Sequence, residues 1–204
     1  MDLLIFQVPI LMVQASMDGI LLGILFALIA YGMALQWGVM NIINIAQGDL
    51  VILGRYIAYF MYIYGIHPAW GVIVSPIIMY FVGIGIYKLV INKVVDRDLF
   101  ISILATFGIN AALCGVAGAL ISITFTIHPY MGLPYTIRSF MIVIVAGLGN
   151  VPGVAISGMG LGVFEEFADY ILGTEFRIGS VFLLLVLILV YRRFKLSKKR
   201  EYLK

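Results

Sequence analysis

The chain has 204 residues, of which 63% are hydrophobic and 11% charged, with a net charge of +3. A soluble domain carries about 25% charged residues, so there is too little polar surface here to cover a water-facing core. Composition excludes a soluble domain with a single anchor and points to an integral membrane protein of several helices.

The N-terminus lacks the positive leader of a cleaved signal peptide, since Asp2 and Asp18 are its only charges. Residues 3–16 are apolar but short for a span, so they either lie in the interface or begin a steep first helix. Seven apolar segments follow, at 19–40, 49–66, 70–91, 100–126, 137–149, 153–172 and 178–194. Segments 19–40, 70–91 and 100–126 reach the roughly twenty residues that a helix needs to cross hydrocarbon. The fold class expected is all-α and polytopic, with seven transmembrane segments, or eight if 3–16 also crosses.

Between the first two segments, Asn41-Ile42-Ile43-Asn44-Ile45-Ala46-Gln47-Gly48-Asp49 interrupts the apolar pattern. Between the fifth and sixth, Gly147-Leu148-Gly149-Asn150-Val151-Pro152-Gly153 does the same. Glycine and proline release the backbone from regular helix, and groups freed this way must be satisfied inside the protein or in a wet cavity. Both stretches read either as broken helices of the kind that form solute sites in transporters or as ordinary turns. Asp49 suits the positive end of the helix it starts, as a cap or as a functional carboxylate.

Arg55 is a lone charge inside an apolar segment; it either snorkels to the interface, pairs with Asp49 or faces a cavity. Gly83 and Gly85, Gly115 and Gly118, and Gly153, Gly158, Gly160 and Gly162 can let helix backbones approach closely. Glu165, Glu166 and Asp169 form the largest acidic group, either at the external end of the sixth segment or, if in hydrocarbon, as a functional cluster.

Lys88, Lys93 and Arg97 lie between the third and fourth segments. Six of the thirteen Lys and Arg residues cluster at Arg192, Arg193, Lys195, Lys198, Lys199 and Arg200. The positive-inside rule puts both groups, and the C-terminus, on the cytoplasmic side.

Catalytic chemistry has no foothold. Cys114 is the only cysteine, and His67 and His128 are isolated, each before a proline. No phosphate-binding loop and no zinc or calcium pattern is present, so no cofactor, metal or catalytic residue is expected in this chain.

The run Asn41 to Asp49, followed by Gly54-Arg55-Tyr56, resembles the signature of permease subunits of branched-chain amino acid ABC importers. So does Pro129-Tyr130-Met131-Gly132-Leu133-Pro134-Tyr135-Thr136-Ile137-Arg138-Ser139-Phe140. It leads into Ala146 to Gly153 and then Gly158 to Glu165. Residues 85–109, with Thr106-Phe107-Gly108, are similar in style. The resemblance covers nearly the whole chain as one permease-like domain, 1–110 resembling the family's N-terminal half and 111–204 its C-terminal part.

The resemblance implies a subunit of the inner membrane of a prokaryote. It would pair with a second related permease, two cytoplasmic ATPase subunits that hold ATP and Mg, and an external binding protein delivering leucine, isoleucine or valine. Some relatives carry urea or short amides. Asn41, Asn44, Gln47, Gly48 and Asp49, with Gly149, Pro152 and Gly153, are the residues expected to shape the path or its gating breaks, without catalysis. Arg55, Glu165 and Glu166 are further candidate polar sites.

Near Asn110-Ala111 the chain passes from the first-half pattern to the later one without the intervening segment of longer relatives. Gly108-Ile109-Asn110 is present, but the Arg- and Ala-rich segment that precedes it in the ATPase-docking loop is not. The alternative expectation is therefore a shortened, non-transporting or auxiliary membrane subunit.

Overall fold

The computed structural model describes residues 9–41, 43–89, 100–125, 129–147 and 150–201. Among these, the long elements are all helices: α1 (Pro9–Met40), α2 (Gln47–Ile63), α3 (Gly71–Leu89), α4 (Phe100–Thr124), α5 (Gly132–Ala146), α6 (Val151–Leu172) and α7 (Arg177–Glu201). Short 3-10 turns at Pro68–Trp70, Pro129–Met131 and Thr174–Phe176 join α2 to α3, α4 to α5 and α6 to α7. Lys93, Arg97, His128 and Gly149 lie outside the described residues.

The seven helices match the seven apolar segments in order, with three differences. Residues 9–18 are continuous with α1, because nothing in that run breaks a helix and Ser16 returns its hydroxyl to the Met12 carbonyl at 2.8 Å. The two breaks are also narrower than their composition suggests. Gln47, Gly48 and Asp49 form the first turn of α2, and Pro152 and Gly153 sit in the first turn of α6. A proline there loses only an N–H that has no intrahelical partner.

Three helical stretches, Pro9–Val39, Pro68–Leu89 and Ile103–Thr124, are long and apolar enough to cross a membrane. The outward faces are as apolar as the core: Leu21, Ile77, Phe81, Leu183 and Leu187 are each more than half exposed. Such a surface suits lipid, not water.

The core is one cluster running through α1 to α7, with Phe26 and Met33 of α1, Val51 of α2, Met79 of α3, Cys114 and Ile121 of α4, Ile142 of α5, Leu161 of α6 and Val181 of α7. Lipid gives no hydrophobic drive between helices, so close backbone contact must supply the packing. Glycines provide it. A Cβ at Gly158 would come within 2.6 Å of the Ala27 Cβ and 2.9 Å of its Cα, and one at Gly162 within 2.5 Å of Gly23. Together with Gly19 against Val163, these contacts run α1 and α6 antiparallel. Gly83 meets Ala111, and Gly115 meets Pro76, in the same way between α3 and α4. Gly85 and Gly160 face open space, and Gly153 faces its own cap residue Asn150 and the Ala146 carbonyl at the end of α5.

Gly158→Leu is expected to lower the thermal midpoint of the purified protein in detergent, at a cost of about 1–3 kcal/mol or more. Gly160→Leu, on the same helix, should leave it within error. Equal melts for both variants would refute the assigned α1–α6 contact.

Candidate functional site

The start of α2 lies inside the bundle. Gln47 is fully buried, and its Nε2 donates to the carbonyl of Ile29, eleven residues before the end of α1. The Gln47 side chain thus meets α1 about three turns before that helix ends. Asn41 ends α1 in the left-handed region, with φ of 53° and its N–H on the Trp37 carbonyl. Asparagine is among the few side chains that adopt this conformation readily. Asn44 then folds the connection by accepting the Ala46 N–H at 3.1 Å.

A helix start leaves N–H groups without intrahelical partners, and that of Gly48 is buried. Thr136 of α5 meets the need from both sides. Its hydroxyl accepts from the Gly48 N–H at 2.8 Å and lies 2.9 Å from the Ile45 carbonyl, to which it donates. The contact requires Gly48, since a Cβ there would run into the Gly132 carbonyl. Asp49 is exposed and lies over Gly132.

Gln47 also forms a reciprocal amide pair with Asn110 of α4, at 2.7 and 2.9 Å. Asn110 donates as well to Gln36 of α1 at 3.1 Å. All three amides are buried, and they tie α1, α2 and α4 together. α4 runs without interruption through Asn110-Ala111. Gly32 makes room, because a Cβ there would strike the Asn110 Oδ1.

Arg55 is also fully buried, one step further along α2. It donates to the Tyr135 hydroxyl at 3.2 Å and to the Phe125 carbonyl at 3.0 Å. Beside it runs an ionic chain. Glu165 has no exposure and accepts from the Arg138 Nε at 3.0 Å and the Arg177 Nε at 2.9 Å. Arg177 reaches Glu166 at 2.8 Å and Asp169 at 3.7 Å. Glu165 is thus buried inside the bundle, about two turns before the end of α6, with its neighbours Glu166 and Asp169 partly exposed.

The second break is simpler. α5 ends at Gly147 with φ of 84°, and Asn150 caps α6 by accepting the Gly153 N–H at 3.1 Å. Tyr31 of α1 donates to the Val151 carbonyl at 2.9 Å. Of the expected site residues, the structure therefore brings Gln47, Gly48 and Arg55 into the centre of the bundle. Asn41 and Asn44 turn the chain outside it, while Pro152 and Gly153 belong to a separate helix start. Gln36, Thr136, Arg138 and Arg177 are not among the expected site residues, although Thr136 and Arg138 fall in the stretch Pro129 to Phe140 that carries the resemblance, and the two arginines are charges within or beside apolar segments.

No group of three metal-binding side chains occurs among the described residues. The arrangement is one of helix breaks, buried amides and paired charges, which bind and position.

These features define an all-α membrane protein with polar groups inside its bundle. The family of branched-chain amino acid transport system permease components matches residues 93–191, across Asn110-Ala111. The permease protein LivH of the high-affinity branched-chain amino acid transport system of Salmonella typhimurium is 37% identical over 86 residues, 42% of this chain and 28% of that protein. LivH of Escherichia coli K12 is 36% identical over the same shares. The permease protein BraD of Pseudomonas aeruginosa is 35% identical over 88 residues, 43% of this chain and 29% of that protein. The chain thus spans under a third of the length of the curated relatives it matches, and no solved structure matches it. Part of the chain is thus similar to permease components of branched-chain amino acid transport systems. The resemblance at Asn41–Asp49 and Gly54-Arg55-Tyr56 falls outside the family match.

Thr136→Val should destabilise the protein by about 1–3 kcal/mol, because the Gly48 N–H and the Ile45 carbonyl lose their shared partner, while Thr136→Ser should retain most of the stability. Thermal melts of the purified variants check this, and a Val variant as stable as the Ser variant would count against it. Glu165→Gln should cost more, about 3–5 kcal/mol, since it strands two guanidinium groups. Glu166→Gln, at a partly exposed site, should cost under half as much in the same melts.

Proposed function

We propose that the chain is a transmembrane permease subunit of an ATP-driven importer for branched-chain amino acids and forms part of the solute path. The observation that carries this reading is the buried polar start of α2. Discontinuous helices at bundle depth are a recurring way for transporters to build solute sites. Gln47 and Gly48 would shape the path at that break. Asn41, Asn44 and Asp49 would set how the chain enters it, with Gly149, Pro152 and Gly153 forming a second hinge.

Alternating access would open this path to each side in turn. The driving energy would come from ATP and Mg on two partner ATPase subunits, with a second permease completing the pore and an external binding protein delivering solute. The basic end of α3 and the basic tail of α7 would face the cytoplasm of a prokaryotic inner membrane.

A shortened, non-transporting subunit is the second reading, and one observation favours it. Asn110, in the Gly108-Ile109-Asn110 run that the resemblance ties to ATPase docking, is buried against Gln47 and Gln36.

Co-expression with the neighbouring ATPase and second-permease subunits, followed by pull-down from mild detergent and leucine uptake assays, separates the two. A stoichiometric complex with ATP-dependent uptake is expected. A folded chain recovered without ATPase, or a complex that holds a full-length permease in addition to this chain, would overturn the importer reading in favour of an auxiliary subunit.

A further inference from the structure

A cavity of about 880 Å³ opens where α2 and α4 both end. Tyr56, Tyr59 and Tyr62 of α2 form one wall, and His67, the turn after it and the last residues of α4 with Phe125 form the rest. Small-molecule sites run from roughly 300 to 1,000 Å³, so the volume suits one. The cavity lies at the opposite end of α2 from the buried start at Gln47.

The three tyrosines recur every third residue, so one side of α2 carries three phenol rings to the cavity. An aromatic ring is negative on its face and attracts a cation placed over it. No Asp, Glu, Lys or Arg is among the described residues lining the cavity, so a cation that enters meets rings and hydroxyls in place of a salt bridge.

Both helices also point their C-terminal ends here, which are the negative ends of their dipoles, and neither last turn holds a basic side chain. At α4 the end is partly answered, because Arg55 donates to the Phe125 carbonyl at 3.0 Å. At α2 the carbonyls of Phe60, Met61 and Tyr62 accept only from the backbone N–H groups of Tyr64, Ile66 and Gly65 among the described contacts. The α2 side of the cavity is therefore the side that favours a cation. His67 closes that side, its Nδ1 held by the Ala69 N–H at 3.3 Å.

We propose that this cavity binds an organic ammonium group, with Tyr59 and Tyr62 supplying the ring faces that hold it. A methylated ammonium spreads its charge over a bulky surface and is the cation that aromatic walls recognise best. The group belongs to a lipid headgroup or to a free small molecule, since both present the same cation. The site goes beyond the permease reading and does not rest on it.

The test is ligand-observed saturation-transfer NMR on the purified full chain in a maltoside detergent, which carries no ammonium. The probes are choline and its uncharged isostere, in which a tert-butyl group replaces the trimethylammonium. Choline is expected to bind, with the isostere at least about tenfold weaker. The double variant Tyr59→Leu, Tyr62→Leu should weaken choline at least about tenfold, while Tyr59→Phe, which keeps the ring, should retain it. Tyr59 and Tyr62 are 44% and 63% exposed, so neither change opens the core, and the melts should match that of the parent chain. Tyr64→Leu, at an exposed position outside the lining, should leave choline binding unchanged.

Short-chain phosphatidylcholine that binds more tightly than choline would make a lipid headgroup the source of the cation, and no gain would make it a free solute. Equal affinity for choline and its isostere, or no choline binding at millimolar concentration, would overturn the site. So would full binding by the double variant, or an equal loss in Tyr59→Phe and Tyr59→Leu, which would transfer the binding from ring to hydroxyl. Uptake is not read in any of these measurements, so the permease reading stands or falls separately.

Discussion

The fold depends on satisfying backbone hydrogen bonds where water does not reach. A chain in lipid has no solvent partner for a free N–H or carbonyl, so a helix that starts in mid-bundle must be given partners by its neighbours. α2 starts there. Its first turn is held by one hydroxyl, Thr136, which accepts from Gly48 and donates to Ile45. The amide of Gln47 extends the same arrangement to α1 and α4. Without these contacts the buried Gly48 N–H at the start of α2 would lose its side-chain partner. The positions of α5 and α4 therefore follow from what the start of α2 requires.

Close packing imposes the second constraint. Reciprocal side-chain bonds such as Gln47 to Asn110 form only if the helices carrying them come near each other, and Gly32 and Gly48 remove the Cβ atoms that would intervene. α1 acts as the central helix. It packs on α6 through Gly19 and Gly23, accepts Gln47 at Ile29, and stacks Trp37 on Phe140 of α5 with ring centroids 5.6 Å apart. Its length, about 48 Å at helical rise, lets it contact α2 part-way along while meeting α6 over several turns.

The helices were legible from apolar runs, and so were the two interruptions between them, because Asn, Gln, Gly and Pro are poor choices for lipid-facing helix. Their depth was not legible. The run Asn41 to Asp49 could equally have been a surface turn, and only its long-range partners, Thr136 and Asn110, place its last residues in the interior. Those partners lie 88 and 63 residues away in sequence, where no local pattern links them. Glu165 shows the same limit. As a carboxylate near two others it read either as a helix end or as a functional cluster, and its burial follows from Arg138 and Arg177 on two further helices. Helical glycines were readable as packing residues in general. Which of them pack was not: Gly158 and Gly162 meet α1 while Gly160 between them points outward, a difference set by helical phase against a partner that sequence does not name.

The ionic chain also bears on how such a bundle could move. A buried ion pair adds little net stability over well-packed apolar residues, because desolvating both charges offsets their attraction. Glu165 and its arginines are therefore a poor device for stability alone. They do resist separation, since pulling α5 or α7 away from α6 would strand a charge. Arg177, however, contacts Glu165, Glu166 and Asp169 together, so α7 has three carboxylates spaced over about one turn of α6 among which its guanidinium can redistribute. A set of this kind keeps a cation paired through a small sliding of one helix past the other, where a single partner would not. Shear between packed helices is one of the established forms of conformational change. Arg138 is held by both oxygens of Glu165 alone among the described carboxylates, so the α5–α6 contact lacks that redundancy.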